Sequence, residues 1–155
     1  MVQNLALEEQ LESDYVWARQ GRVTETGFAL AAAKTYPFEE GLQQRVEEIM
    51  EIAYSNGATR ELTEARACAG RGEVHLTIGC LKLAQEYAAK SGITFDQKML
   101  MAIGESAYHS LIGSWLSGAQ TNLNNRNMWS VGLHLQAAER AFHRLEKYLA
   151  QPIAV

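Results

Sequence analysis

The sequence predicts an all-α protein, with six to seven helices in a compact helical bundle or a short array of α-hairpin repeats. Three observations carry this. Apolar residues recur at three- and four-residue spacing along most of the 155 residues. Stop and cap signals divide that pattern into helix-sized pieces, and neither proline, Pro37 or Pro152, interrupts a periodic segment. No segment alternates apolar and polar residues with β-branched enrichment, as a half-buried strand would.

The elements follow in order. A first helix fits Asn4 to about Gln20, with Leu7, Leu11, Tyr15 and Ala18 on one stripe and Gly21 as its stop. A second fits Thr24 to about Tyr36, ended by Pro37, because a proline disfavours helix in the residue before it. A third starts at Phe38 and carries Phe38, Leu42, Val46, Ile49 and Ala53, with Asn56-Gly57 as its stop. A short fourth runs from Thr59 to about Ala69, before Gly70-Arg71-Gly72. The fifth spans Glu73 to Lys90 and ends at Ser91-Gly92; its stripe reads Leu76, Cys80, Leu83, Tyr87.

Thr94 and Gln97 have capping-box spacing for a sixth helix that reaches about Gly118. It is apolar on most sides, from Met99 and Leu100 to Trp115 and Leu116, which suits the middle of a fold. Along one side run Ala102, Ser106, Ser110, Gly113, Ser114 and Ser117, small residues that read as a helix-packing seam. The polar stretch Thr121–Asn127 reads as a loop, and Asn127 as the cap of a last helix to about Ala150. That helix repeats Met128, Val131, Leu135, Ala138, Phe142, Leu145 and Leu149 in a regular 3-4 alternation. The alternation predicts an antiparallel seam against the sixth helix; a homodimer through the last two helices is its other use.

An internal echo accompanies the helices. Gly21–Tyr36 laid over Gly72–Tyr87 aligns Gly, Val, Thr, Leu, Ala and Tyr at an offset of 51 residues. Ile49–Tyr54 echoes Ile103–Tyr108. A third partial copy aligns Ser130, Gly132, Ala137 and Glu139 with Thr77, Gly79, Ala84 and Glu86. Repeated helical hairpins bury their faces on one another, which is the logic of helical repeats. The offset differs from the lengths of the common helical repeat families.

Composition bounds the function. With 47% hydrophobic and 21% charged residues the chain reads as one globular domain over residues 1–155. A net charge of -4 gives no global attraction to nucleic acid or an anionic membrane. Two cysteines do not make a disulfide framework, and the acidic N-terminal stretch lacks the features of a signal peptide. No stretch has the roughly 20 apolar residues of a membrane helix. The expected location is the cytoplasm.

Candidate sites are few. His75, Cys80 and Cys68 contain metal-ligand residue types, but helical positions five apart diverge by about 140°, so His75 and Cys80 converge on one ion only if the helix starts later or kinks. Two Glu-x-x-x-His pairs, Glu105–His109 and Glu139–His143, are sharper. The second falls on a charged face, where such a pair adds a few tenths of a kcal/mol. The first lies on the most apolar helix, so Glu105 and His109 are the best polar candidates, to be satisfied by one another if buried. Asn124, Asn125 and Arg126 join them as binding candidates, since loops on a rigid scaffold carry recognition. Arg140, His143, Arg144 and Lys147 offer a basic side interleaved with Glu139 and Glu146. There is no Gly-x-Ser-x-Gly nucleophile and no phosphate loop.

These features predict a non-enzymatic helical protein–protein interaction or adaptor module. No catalytic residue, metal ligand or cofactor is assigned, a protein partner is expected, and neither membrane nor nucleic acid is. The rival readings are a helical bundle with a metal or small-molecule site near Glu105 and His109, and a nucleic-acid accessory protein.

Overall fold

The structure, a computed structural model, describes residues 2–33 and 40–151. Pro37 and Phe38, the end of the second predicted helix, the Leu7 and Leu42 side chains and Pro152 lie outside the described residues. The described residues form six helices and no strand, so the all-α class holds: α1 Val2–Arg19, α2 Val23–Ala33, α3 Glu40–Gly70, α4 Val74–Lys90, α5 Gln97–Asn124 and α6 Met128–Leu149. They group into two compact units, Met1–Glu61 with Leu83–Thr94, and Leu62–Lys82 with Phe95–Val155.

In the first unit α1 packs on α2, and Leu11, Ala18, Leu30, Val46, Ile49 and Ala53 make one buried cluster across α1, α2 and α3. The Leu11–Tyr15–Ala18 stripe is thus the core face of α1, as its spacing predicts. Asn56-Gly57 does not stop a helix: the third and fourth predicted helices are one. The pair instead marks a close crossing. Gly21 ends α1 with φ 66°, and a Cβ there would lie 2.7 Å from the Asn56 carbonyl carbon. A Cβ on Gly57 would press on Val23 and Tyr87. Asn56 Nδ2 donates to the Ala18 carbonyl at 3.3 Å, tying the end of α1 to the middle of α3. Glycine is needed here for approach, at a helix-interior cost of about 1 kcal/mol.

The second unit repeats this device. Gly72, between α3 and α4, has φ 71°, and a Cβ there would sit 2.9 Å from the Leu111 nitrogen in α5. The buried stripe of α4 is Val74, Thr77, Leu81, Ala84 and Ala88, one step round the helix from the predicted one; Leu76 and Leu83 are exposed. Thr77 is fully buried because its hydroxyl donates back to the Glu73 carbonyl at 3.0 Å.

Helix α5 starts one residue after Asp96, whose side chain accepts from the Lys98 N–H, so the cap is Asp96 and the Thr94–Gln97 capping box is not used. It also runs past Gly118 to Asn124, so most of the predicted loop is helix. Thr121 Oγ1 donates to the Ser117 carbonyl and Asn122 Nδ2 to the Gly118 carbonyl, holding these polar residues in the last turns. Asn127 does cap α6, accepting from the Ser130 N–H at 3.3 Å. The small-residue side of α5 faces outward, with Ala102, Ser106, Gly113, Ser114 and Ser117 exposed; it is no packing seam.

Candidate interaction surface

Three tight turns join the helices in pairs, and they repeat bond for bond. In the first, the Gly21 N–H donates to the Ala18 carbonyl, Arg22 to Trp17 and Thr26 to Arg22. In the second, Gly72 donates to Ala69, Glu73 to Cys68 and Thr77 to Glu73, an offset of 51 residues. In the third, Arg126 donates to Leu123, Asn127 to Asn122 and Val131 to Asn127, a further 54. Each is the paired hydrogen bond of a helix end whose capping residue has positive φ: Gly21, Gly72 and, at 58°, Arg126. The predicted echo is therefore present in the local structure. Its third copy shifts by one residue: Val131, not Ser130, stands where Thr77 stands.

This register allows equivalent residues to be compared. Val74, Leu81 and Ala88 on α4, and Leu62 and Ala69 on α3, are all at most 8% exposed. Their equivalents Met128, Leu135, Phe142, Leu116 and Leu123 are 47 to 65% exposed. Leu149, one heptad beyond Phe142, is exposed as well. The regular alternation on α6 therefore splits. Val131, Ala138 and Leu145 are buried, together with Ala141, whereas Met128, Leu135, Phe142 and Leu149 form a seven-spaced stripe in solvent. The predicted seam against the preceding helix is correct for the first set only.

Between α5 and α6 the packing is close. Trp115 meets His134 edge-on at 5.5 Å, and Tyr108 tilts against Tyr148 at 5.6 Å. Gly104 and Gly118 leave room for the Tyr148 and His134 rings. Leu100, Ile103 and Ala107 are buried, but Trp115, Leu116 and Leu123 are exposed, so only the first half of α5 is a central helix. Since α5 and α6 run antiparallel, Leu123 lies level with Met128 across the short turn and Leu116 with Leu135. The hairpin thus carries exposed apolar side chains on both helices, on the order of several hundred Å², comparable with the largest patch of an ordinary monomer.

The sequence candidates are placed as follows. His109 Nε2 lies 3.3 Å from Glu105 Oε1, with side chains 62% and 41% exposed. They satisfy one another in solvent. Asn124 Oδ1 accepts from Gln120 Nε2 at 3.0 Å, Asn125 is the α5 cap, and Arg126 is the left-handed turn residue. His143 pairs with Glu146 at 3.1 Å, not with Glu139. His75 is exposed and Cys68 buried. Burial first, then the neighbouring Glu64 and Glu73, push the Cys68 thiol above its usual range, so it is no ready nucleophile. Among the described residues no three His, Cys, Asp or Glu side chains converge as a metal site.

No protein-family model, curated protein or solved structure matches the chain. The functional reading therefore rests on geometry. A cleft of about 370 Å³ is lined by Val74, Leu76, Tyr108, Leu111 and Arg144, beside an Arg71–Glu73 ion pair at 2.8 Å. It carries less apolar surface than the hairpin face. The uncovered stripe is the feature that sequence reasoning missed. Its signal was present: Met128, Leu135, Phe142 and Leu149 recur at a strict seven, interleaved with Val131, Ala138 and Leu145.

Proposed function

We propose that this chain is a non-enzymatic helical interaction module whose α5–α6 hairpin receives a helix of another polypeptide chain. One observation carries the reading: Met128, Leu135 and Phe142 are exposed where Val74, Leu81 and Ala88, at the same places in the preceding hairpin, are buried. A face of this kind fits an amphipathic helix laid along a groove, with apolar anchors spaced by helical turns. Large side chains such as the flexible Met128 and the aromatic Phe142 supply contact area in such grooves. Support for the rival readings is weaker. Glu105 and His109 stand in solvent, engaged with one another, where a metal or small-molecule site needs convergent groups. The basic residues of α6 are interleaved with Glu139 and Glu146, which dilutes any phosphate-binding face.

A photo-crosslinking residue at Leu135, compared with one at exposed Phe28, tests the proposal. In an extract of the native cell the expected result is a polypeptide adduct at 135, which mass spectrometry identifies and maps to a helical segment. Adducts confined to small molecules or lipid, or equal labelling at both positions, refute the reading.

A further inference from the structure

Resting on that reading, we infer that the helix received by the α5–α6 hairpin is α6 of a second copy of this chain, packed antiparallel about a two-fold axis between Leu135 and Phe142.

The spacing of the stripe gives the first argument. Met128, Leu135, Phe142 and Leu149 keep a strict interval of seven over 22 residues of helix. Such a line stays in contact with a neighbour that carries the same repeat, as in left-handed helix pairs crossing at about 20°. An antiparallel pair sets Leu135 against the partner's Phe142 and Met128 against the partner's Leu149. Each layer then joins one longer and one shorter side chain. Leu116 and Leu123 on the two α5 helices flank these layers, so that two hairpins make a four-helix bundle.

The other end of the chain gives the second argument. A head-to-tail assembly needs an apolar receiver elsewhere on the protein. Among the described residues of α1 the exposed side chains are Glu9, Gln10, Glu12, Ser13, Val16 and Arg19, of which Val16 alone is apolar. That face offers no apolar repeat, Phe28 stands singly and Leu76 and Leu83 span one heptad, so among the described residues the longest match to the stripe is the stripe itself.

The third turn excludes a docked helix that imitates the contacts already made within the chain. The turns at Gly21 and Gly72 admit the backbones of α3 and α5 because they lack a Cβ. At the third turn Arg126 supplies one. A helix crossing there as α3 crosses Gly21 would meet that side chain within van der Waals distance. Lengthwise pairing on Met128 to Leu149 needs no such approach at the turn.

The test is the mass of the full chain in solution, by sedimentation velocity across a wide concentration range. The expected species is a dimer. The double variant Leu135→Glu/Phe142→Glu raises the dissociation constant at least about thirtyfold, since central apolar anchors dominate such interfaces. Leu133→Glu, at an exposed leucine off the stripe, leaves the dimer intact. Should the double variant lose helical circular dichroism, the milder Leu135→Gln serves in its place. Orientation is read with cysteines in a Cys80→Ser background. Leu135→Cys/Phe142→Cys forms an intermolecular disulfide under mild oxidation, and Leu135→Cys alone does not.

A monomer at all concentrations overturns the inference, as does a dimer insensitive to the stripe variants or a disulfide from Leu135→Cys alone. A monomer that crosslinks at position 135 to an identified helix of a different protein removes the second copy and keeps the docking reading. A monomer without a polypeptide adduct removes both.

Discussion

The α3–α4 and α5–α6 hairpins share a turn, a hydrogen-bonding pattern and a register, and they differ in what lies on them. The Gly72 turn of the first abuts the Leu111 backbone, and Val74, Leu81 and Ala88 behind it are buried. At the equivalent place the second has Arg126, then Met128, Leu135 and Phe142 in solvent. Two lessons follow. The left-handed turn residue is glycine where a neighbouring helix forbids a Cβ, and the turn tolerates arginine where none does. At three of the five equivalent places the uncovered hairpin carries the larger apolar side chain, and at the other two both carry leucine, the reverse of what solubility alone would select. A surface of that composition is suited to being covered.

The largest contrast is expected at the paired leucines. Leu81→Ala removes a fully buried side chain and costs about 3 kcal/mol, in the usual range for such cavities. Leu135→Ala, measured by urea denaturation at concentrations where the chain is monomeric, costs less than about 1 kcal/mol, because half of that side chain is already in water. Equal costs would mean that the two hairpins are covered alike, and the comparison would fail.

The turn residues come next. Gly72→Ala combines a left-handed backbone with a contact at 2.9 Å to main chain, which cannot move aside cheaply; about 2 kcal/mol is expected. Arg126→Gly relieves a positive φ with no neighbour to satisfy and raises stability by about 0.5 kcal/mol. Opposite signs in the denaturation midpoints confirm that one turn is packed and the other free. A destabilising Arg126→Gly would show that the arginine side chain holds a contact of its own.

Much of this was legible in residues and some was not. The ends of α1, α4 and α6 follow from Gly21, Gly92 and Asn127, since capping is local chemistry that spacing reveals. Asn56-Gly57 misleads because a helix stop and a helix crossing use the same residue; only the neighbour at Gly21 separates them. Thr121 to Asn124 reads as loop by composition, yet side-chain bonds to the preceding carbonyls keep it helical. The Glu105–His109 pair could be found by spacing but not placed. It sits in the half of α5 that buries Leu100, Ile103 and Ala107, yet on the outer side, and which side is covered is a property of the assembled unit.

A tyrosine pair in each unit sharpens the comparison from inside. Tyr54 tilts on Tyr87 at 5.8 Å in one unit and Tyr108 on Tyr148 at 5.6 Å in the other. The Tyr148 hydroxyl is buried without a hydrogen-bond partner among the described residues, and burial, with Tyr108 and Glu105 nearby, pushes its pKa up to about 12. Tyr148→Phe keeps the ring against Gly104 and removes the unsatisfied hydroxyl. The expected outcome is unchanged or slightly raised stability, by up to about 1 kcal/mol; a loss of that size would reveal a partner for the hydroxyl.

The smallest effect bears on the direction of pairing. Glu139 is exposed and lies between Leu135 and Phe142 on the outer flank of the stripe, close to the proposed two-fold axis. In the antiparallel dimer it faces the partner's Glu139, and like charges at such spacing oppose association by a few tenths of a kcal/mol. Glu139→Gln should therefore tighten the dimer about twofold at low salt, and the gain should shrink as salt screens the pair. In a parallel pair the two Glu139 residues flank the seam on opposite sides, and the substitution would leave the dissociation constant and its salt dependence unchanged. Sedimentation of wild type and variant at two ionic strengths decides between these arrangements, because only the antiparallel one brings a charge against its own copy.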